Sequence, residues 1–216
     1  MSNETIELYT DTFWISPYVF SVYVTLVEKG LPFTARSVHL ETGEHRKPEY
    51  RDRSITGMVP ALARGDLFLT ESSAIIEYLE EMFPAPRHPA VLPRDLRERA
   101  RARQVMSFIR SDMMPIREER PTSTMFYARA DRPLSADGEA AARRLLRIAD
   151  QLIPDGQRSL FGEWSIADAD LAFMLQRLIL NGHPVGDKAR AFAEQQWSRP
   201  SVRSFVERER PPYVAY

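Results

Sequence analysis

Apolar and polar positions follow two rhythms along this chain. Up to about residue 83, short apolar runs alternate with helical spacing; beyond residue 93 the helical spacing persists almost throughout. Residues 6–9 form a short apolar and aromatic run that suits a buried strand, and residues 10–15 read as a loop. Ser16-Pro17 is then a strong helix start, because serine is a favoured cap and proline is favoured at the first helical position. Tyr18, Val19, Val22, Tyr23 and Leu26 share one broad face of this helix; Gly30 stops it and Pro32 prevents its resumption. Residues 33–40 predict a second strand, and the polar stretch 41–53 predicts a short helix after Pro48. Residues 59–64 and 67–70 read as two strands of a hairpin around Gly65-Asp66. Ser72 or Ser73 then caps a helix that turns Ile75, Ile76, Leu79 and Phe83 inward.

Residues 84–93 hold four of the sixteen prolines and read as a linker. After it, a long helix is expected over residues 96–117, kinked or ended by Pro115. Residues 140–153 predict another helix, and residues 166–180 the most apolar one, fit for a core. Shorter helices are expected over 190–197 and 201–208, and there is no internal repeat. The pattern divides the chain into a mixed domain over 1–83, a linker over 84–93 and an all-helical domain over 94–216.

Composition narrows the chemistry. The 216 residues are 44% hydrophobic and 27% charged, which suits two packed globular domains rather than a disordered chain. A net charge of −1 gives no pull toward nucleic acid or an anionic membrane. There is no cysteine, so no disulfide, thiolate metal ligand or cysteine nucleophile exists, and any sulfur chemistry must use a thiol brought by a ligand. The four histidines, His39, His45, His88 and His183, show no metal-binding spacing, so neither a metal nor a resident cofactor is expected. The N-terminus lacks the pattern of a signal peptide and no window is long enough to span a bilayer, so the expected location is cytoplasmic.

Three short motifs carry possible chemistry. Ser16-Pro17-Tyr18 either caps a helix and does nothing more, or also aims the Ser16 hydroxyl at a sulfur held near the positive end of that helix. Val59-Pro60 precedes the hairpin, and the sequence leaves its isomer open. Glu71-Ser72-Ser73 lies between a strand and a helix. It is either a good helix cap or a site for an amino-acid head group, with Ser72 and the helix N-terminus on the carboxylate and Glu71 on the ammonium. Further on, Ser165 and Asp168 are spaced as a capping box, a folding device. Arg97, Arg99, Arg101, Arg103 and Arg110 make a basic run that suits a solvated or subunit-facing surface.

In joint order and spacing these motifs resemble the cytosolic-type glutathione transferase superfamily. The blocks are Ile55-Thr56-Gly57-Met58-Val59-Pro60-Ala61-Leu62, then residues 69–79 around Glu71-Ser72, then residues 161–168, and the resemblance covers essentially the whole chain. It implies a thioredoxin-like N-terminal domain with a mixed four-stranded sheet and a helical-bundle C-terminal domain. It places Ser16 where the family has its active-site serine or cysteine, facing the glutathione sulfur. Val59 would pair its backbone with the cysteinyl unit, beside a cis Pro60. Glu71 and Ser72 would hold the γ-glutamyl end, and His45 or Lys47 the glycyl carboxylate. Met58 stands where many relatives carry Lys or Arg, and Ser54-Ile55 where they often carry Asn-Pro, so the pattern departs at the glycyl end. Tyr9 is an alternative activating group, although Ser16 begins the helix. Tyr18, Phe108, Met113 and Arg117 would line a pocket for an electrophile, with helix-core packing the competing role. The resemblance implies transfer of glutathione to small electrophiles, reduction of organic hydroperoxides, and a homodimer. A binding or assembly module without catalysis is the rival, as is an isomerase or dehalogenase on the same fold.

Overall fold

A computed structural model of the chain describes residues 4–215. The chain divides into two compact units: one ends at Ala90 and also takes in the chain from Glu207 onward, and the other is Val91–Val206. The sequence reading carried the helical region to the C-terminus, whereas the segment after Val206 groups with the first unit.

The first unit is built on four strands: β1 (Ile6–Asp11), β2 (Phe33–Val38), β3 (Ala61–Arg64) and β4 (Leu67–Thr70). Their order is β2-β1-β3-β4, with β1 parallel to β2 and antiparallel to β3, and β3 antiparallel to β4. Helices α1 (Pro17–Glu28), α2 (Pro48–Arg51) and α3 (Ser72–Met82) complete this thioredoxin-like unit. Leu8 and Leu62 of the sheet, Phe20 and Leu26 of α1, and Ile75, Ile76 and Leu79 of α3 are fully buried. Tyr9 is next to Leu8 and so faces the other side. There it meets Tyr50 of α2 and Phe68 of β4 at ring separations of 5.9 and 5.2 Å. Lys29, at the end of α1, is fully buried. It pairs with Glu80 at 2.7 Å and donates to the carbonyls of Phe83 and Pro89, which ties α1 to α3 and the chain after it.

The second unit is helical: α4 (Leu96–Ser111), α5 (Met114–Glu119), α6 (Ser123–Phe126), α7 (Ala136–Leu152), α8 (Ile166–Leu180), α9 (Asp187–Trp197) and α10 (Pro200–Val206). The expected long helix over 96–117 breaks at Asp112 and Met113, because Pro115 is accommodated in the first turn of α5 rather than inside α4. α7 starts earlier than the sequence suggests, since Ser135 caps it by accepting from the Gly138 amide. α8 is buried nearly all round and forms the core of its unit, with Arg110 of α4 paired to its Asp170 at 2.9 Å. No helix of the described residues is long and apolar enough to cross a membrane.

Candidate functional site

Strand register gathers the sequence-predicted residues of the first unit at one end of its sheet. Tyr9, Ala61 and Thr70 stand side by side across β1, β3 and β4, because Tyr9 pairs with Ala61 and Ala61 with Thr70. Just beyond this row lie the loop to Ser16, the Val59-Pro60 dipeptide and Glu71-Ser72. β2 ends at the same edge, since Val38 is the register partner of Asp11, and it delivers the segment that carries His45.

Ser16 is the cap of α1: its hydroxyl oxygen accepts from the Val19 amide at 3.3 Å. It is half-buried, and its hydroxyl donates to no group among the described residues. A group placed before α1 would therefore meet a free O–H donor and the positive end of a helix. Tyr9 is engaged elsewhere. Its phenol donates to Glu7 at 3.3 Å and its ring packs on the α2 side of the sheet.

The loop before Ser16 is held by Asp11. Its carboxylate accepts from the Ile15 amide at 2.9 Å and the Ser16 amide at 3.1 Å. Burial pushes the Asp11 carboxyl above the usual carboxylate range, against those backbone amides and the charge of Arg210. Sequence reading missed Asp11; it stood in a stretch read as loop, with nothing local to mark its partners.

Val59 is buried, lies just outside the paired register of β3, and is joined to Pro60 by a cis peptide. Glu71 is exposed and occupies a left-handed backbone conformation, φ 72°. The cap of α3 is Glu71, not Ser72 or Ser73 as the sequence suggested; its side chain makes no capping bond, and buried Ser72 is the first helical residue. A non-glycine residue at positive φ costs about 1–3 kcal/mol and persists where its surroundings demand it, often at ligand-binding positions.

Beside this edge is a cavity of about 440 Å³ lined by Leu40, Glu41, Thr42, Gly43, His45, Arg46 and Met58. Of the two candidates for a carboxylate there, His45 lines the cavity; Lys47 is exposed, joins a short 3-10 turn to α2 and is not among the lining residues. The His45 Nδ1 atom is buried without a hydrogen-bond partner, and Arg46 donates to Nε2 at 3.2 Å. Burial, then the Arg46 charge, holds the imidazole below its usual value. A neutral imidazole that accepts at Nε2 carries its proton on Nδ1, a donor still to be used. Arg46 is a second residue here that sequence reading did not single out. No group of three or more potential metal-ligating side chains occurs among the described residues.

The expected electrophile residues have different surroundings. Tyr18 follows Ser16 on α1 and is half-buried. Met113 has no exposed surface, which fits the competing packing role. Arg117 donates to the Arg110 carbonyl at 2.7 Å and so caps the end of α4. Phe108 lies 5.1 Å beneath the Arg144 guanidinium.

A thioredoxin-like unit thus precedes a helical unit, and Ser16, a cis-proline dipeptide and a Glu-Ser helix start lie together at one end of the sheet. The family is given by direct comparison. Residues 12–87 match the model of the glutathione S-transferase N-terminal domain, and residues 95–209 that of the glutathione S-transferase C-terminal domain. The chain belongs to the glutathione S-transferase family. It is similar to a crystallised glutathione transferase homologue from Burkholderia GL BGR1 with bound glutathione, at 41% identity and a TM-score of 0.79, over 94% of this chain and 97% of that one. Among curated proteins it is 38% identical over 115 residues to glutathione S-transferase 1 of Dianthus caryophyllus, covering 53% of this chain and 51% of that protein. It is 37% identical over 108 residues to a maleylpyruvate isomerase of Ralstonia sp, covering 50% of each. The chain thus spans about half the length of these curated relatives.

Proposed function

We propose that this chain binds glutathione and activates its thiol for attack on small electrophiles. The observation that carries this reading is the convergence of Ser16, Val59-Pro60 and Glu71-Ser72 at one end of the sheet. The γ-glutamyl carboxylate would sit at the start of α3 with Ser72, and its ammonium at Glu71. The cysteinyl unit would run past Val59. The glycyl carboxylate would reach His45 rather than Lys47, because His45 lines the cavity and Lys47 does not. The sulfur would face Ser16, where one hydroxyl and the α1 dipole favour its anion.

With an alkyl or aryl electrophile the thiolate forms a carbon–sulfur bond and the leaving group departs with the electron pair. With an organic hydroperoxide the thiolate attacks the outer oxygen, which releases an alcohol and leaves a sulfenic acid on glutathione; a second glutathione then gives the disulfide and water. The similarity to a maleylpyruvate isomerase supports a second reading. There the thiolate adds to a conjugated double bond and leaves again after rotation, with no net consumption of glutathione.

Binding separates these readings from that of a scaffold without catalysis. Calorimetry with glutathione should give saturable binding that Glu71→Ala and Ser72→Ala each weaken by about one to two decades, as expected for loss of a charged hydrogen bond. No binding by the wild-type chain rejects the proposal. Consumption of glutathione with an aryl halide distinguishes transfer from isomerisation. We further propose a homodimer, from the family and the arginine run Arg97–Arg103 of α4; a monomeric mass in sedimentation at micromolar concentration would count against it.

A further inference from the structure

The loop before α1 is short and contains Trp14 at φ 52°, a left-handed conformation that a bulky residue adopts only under constraint. The constraint is visible at one peptide group. The N–H of the Trp14–Ile15 peptide points at the Asp11 carboxylate, which accepts it at 2.9 Å. The C=O of the same peptide accepts from Arg210 at 3.3 Å through Nε and 3.2 Å through Nη2, the two-pronged geometry of a guanidinium. A carboxylate and a guanidinium thus hold opposite ends of one peptide dipole. The next amide, that of Ser16, is also held by Asp11. Ser16 therefore inherits its position from a group already fixed on both sides.

The tail that brings Arg210 is itself seated. Arg208 lies 3.9 Å over the Trp14 ring, and Tyr213 meets Phe13 edge-on at 5.2 Å. Trp14 in turn meets Tyr23 of α1 edge-on at 5.7 Å. These contacts all lie within the first unit. They also answer an electrostatic problem. A buried carboxylate close to a nascent thiolate would oppose its ionisation, unless a cation offsets the field; Arg210 supplies that cation.

We propose that Asp11 and Arg210 are positioning residues that clamp the Trp14–Ile15 peptide and thereby set the place of the Ser16 hydroxyl at the sulfur site. The C-terminal tail is then part of the thiol-activating apparatus, although it touches no substrate. The consequence for catalysis rests on the thiol-activation reading; the clamp itself does not.

Two measurements keep them apart. The first needs no ligand: amide hydrogen exchange at Ile15 and Ser16 in wild type, Arg210→Ala and Asp11→Asn. Both variants should exchange faster at these two amides, with other α1 amides unchanged. Equal rates in wild type and Arg210→Ala overturn the clamp, whatever glutathione does. The second is the absorbance of bound thiolate against pH, with kcat and KM for an aryl chloride. Misplacement of a catalytic group by a fraction of an ångström should lower kcat by about tenfold or more. It should raise the thiol pKa while the KM for glutathione stays near that of wild type. The double variant should fall no further than the worse single one, since the two residues act on one group. Arg210→Lys, which keeps the charge and loses the fork, should lie between. Should Asp11→Asn not fold, the arginine variants carry both measurements. Faster exchange with unchanged kcat and thiol pKa would confine the clamp to structure and overturn its catalytic role. A wild-type chain that binds glutathione without a thiolate band would reject thiol activation and leave the exchange result to decide the clamp.

Discussion

Two helices of this chain start at a serine attended by a buried aspartate, and the two starts serve different ends. At α8, Asp168 lies inside the first turn and accepts from the Ser165 amide at 2.7 Å, the Ser165 hydroxyl at 3.0 Å and the Leu160 amide at 2.7 Å. Ser165 is fully buried and its O–H is spent on Asp168. At α1, Asp11 precedes the serine and takes only backbone amides, Ile15 and Ser16. It leaves the Ser16 hydroxyl half-buried, with a single cap bond accepted and its proton undirected. The α8 arrangement is closed and can only stabilise. The α1 arrangement is stabilised from behind and left open in front. An aspartate that uses backbone amides alone fixes a serine without consuming its chemistry.

The largest test of this contrast is Asp168→Ala, which strands buried donors from Leu160 and Ser165. It should cost about 3–5 kcal/mol of stability, read by denaturant unfolding, because each buried donor left without a partner loses its desolvation compensation. Activity per folded molecule should not change; a specific loss of turnover would break the division between the two helix starts.

The pH dependence of stability comes next. Burial pushes the Asp168 carboxyl up to about 6, over the opposing backbone and Ser165 hydrogen bonds. The folded chain then holds this proton more tightly than the unfolded one. Its contribution is full below the unfolded value of about 4 and is lost as pH rises through about 6. A rise of that size corresponds to about 3 kcal/mol at most. The stability difference between wild type and Asp168→Asn should therefore be greatest at low pH and shrink toward neutrality. A difference that does not vary over this interval would refute the assignment.

Ser16→Ala has the opposite profile. Loss of one donor to an anion should cut turnover with an aryl halide by about one to two decades and raise the bound thiol pKa by about one unit. Loss of the cap bond should cost only about 1 kcal/mol of stability. Titrating thiolate absorbance in both proteins checks it: identical thiol pKa values would return Ser16 to a capping role alone.

The smallest effect concerns Glu71. Glycine relieves the positive φ of this residue, so Glu71→Gly should raise stability by about 1 kcal/mol in thermal unfolding while weakening glutathione binding. Stability unchanged or lowered would mean that the conformation carries no strain.

The sequence by itself determined what depends on near neighbours. The apolar run of β1, the Ser16-Pro17 start, the hairpin around Gly65 and the Ser165–Asp168 box were legible, because each is decided by residues a few positions apart. The residues of the candidate site were singled out there too, through motifs whose order resembles a known family. Ser135 was missed: the expected helix began at residue 140, whereas α7 starts at Ala136 behind the Ser135 cap. Other features were decided only by tertiary structure. Propensity favours serine as the cap of α3, yet the chain must turn sharply out of β4, and Glu71 takes the left-handed position instead. Met113 has the character of a pocket-lining residue, yet it is fully buried. Asp11 and Arg210 grip one peptide across 196 positions of sequence, counted from Trp14. No local pattern encodes that meeting. Propensity and periodicity act through neighbours along the chain, whereas a buried charge selects partners by distance in space, and only the folded chain sets those distances.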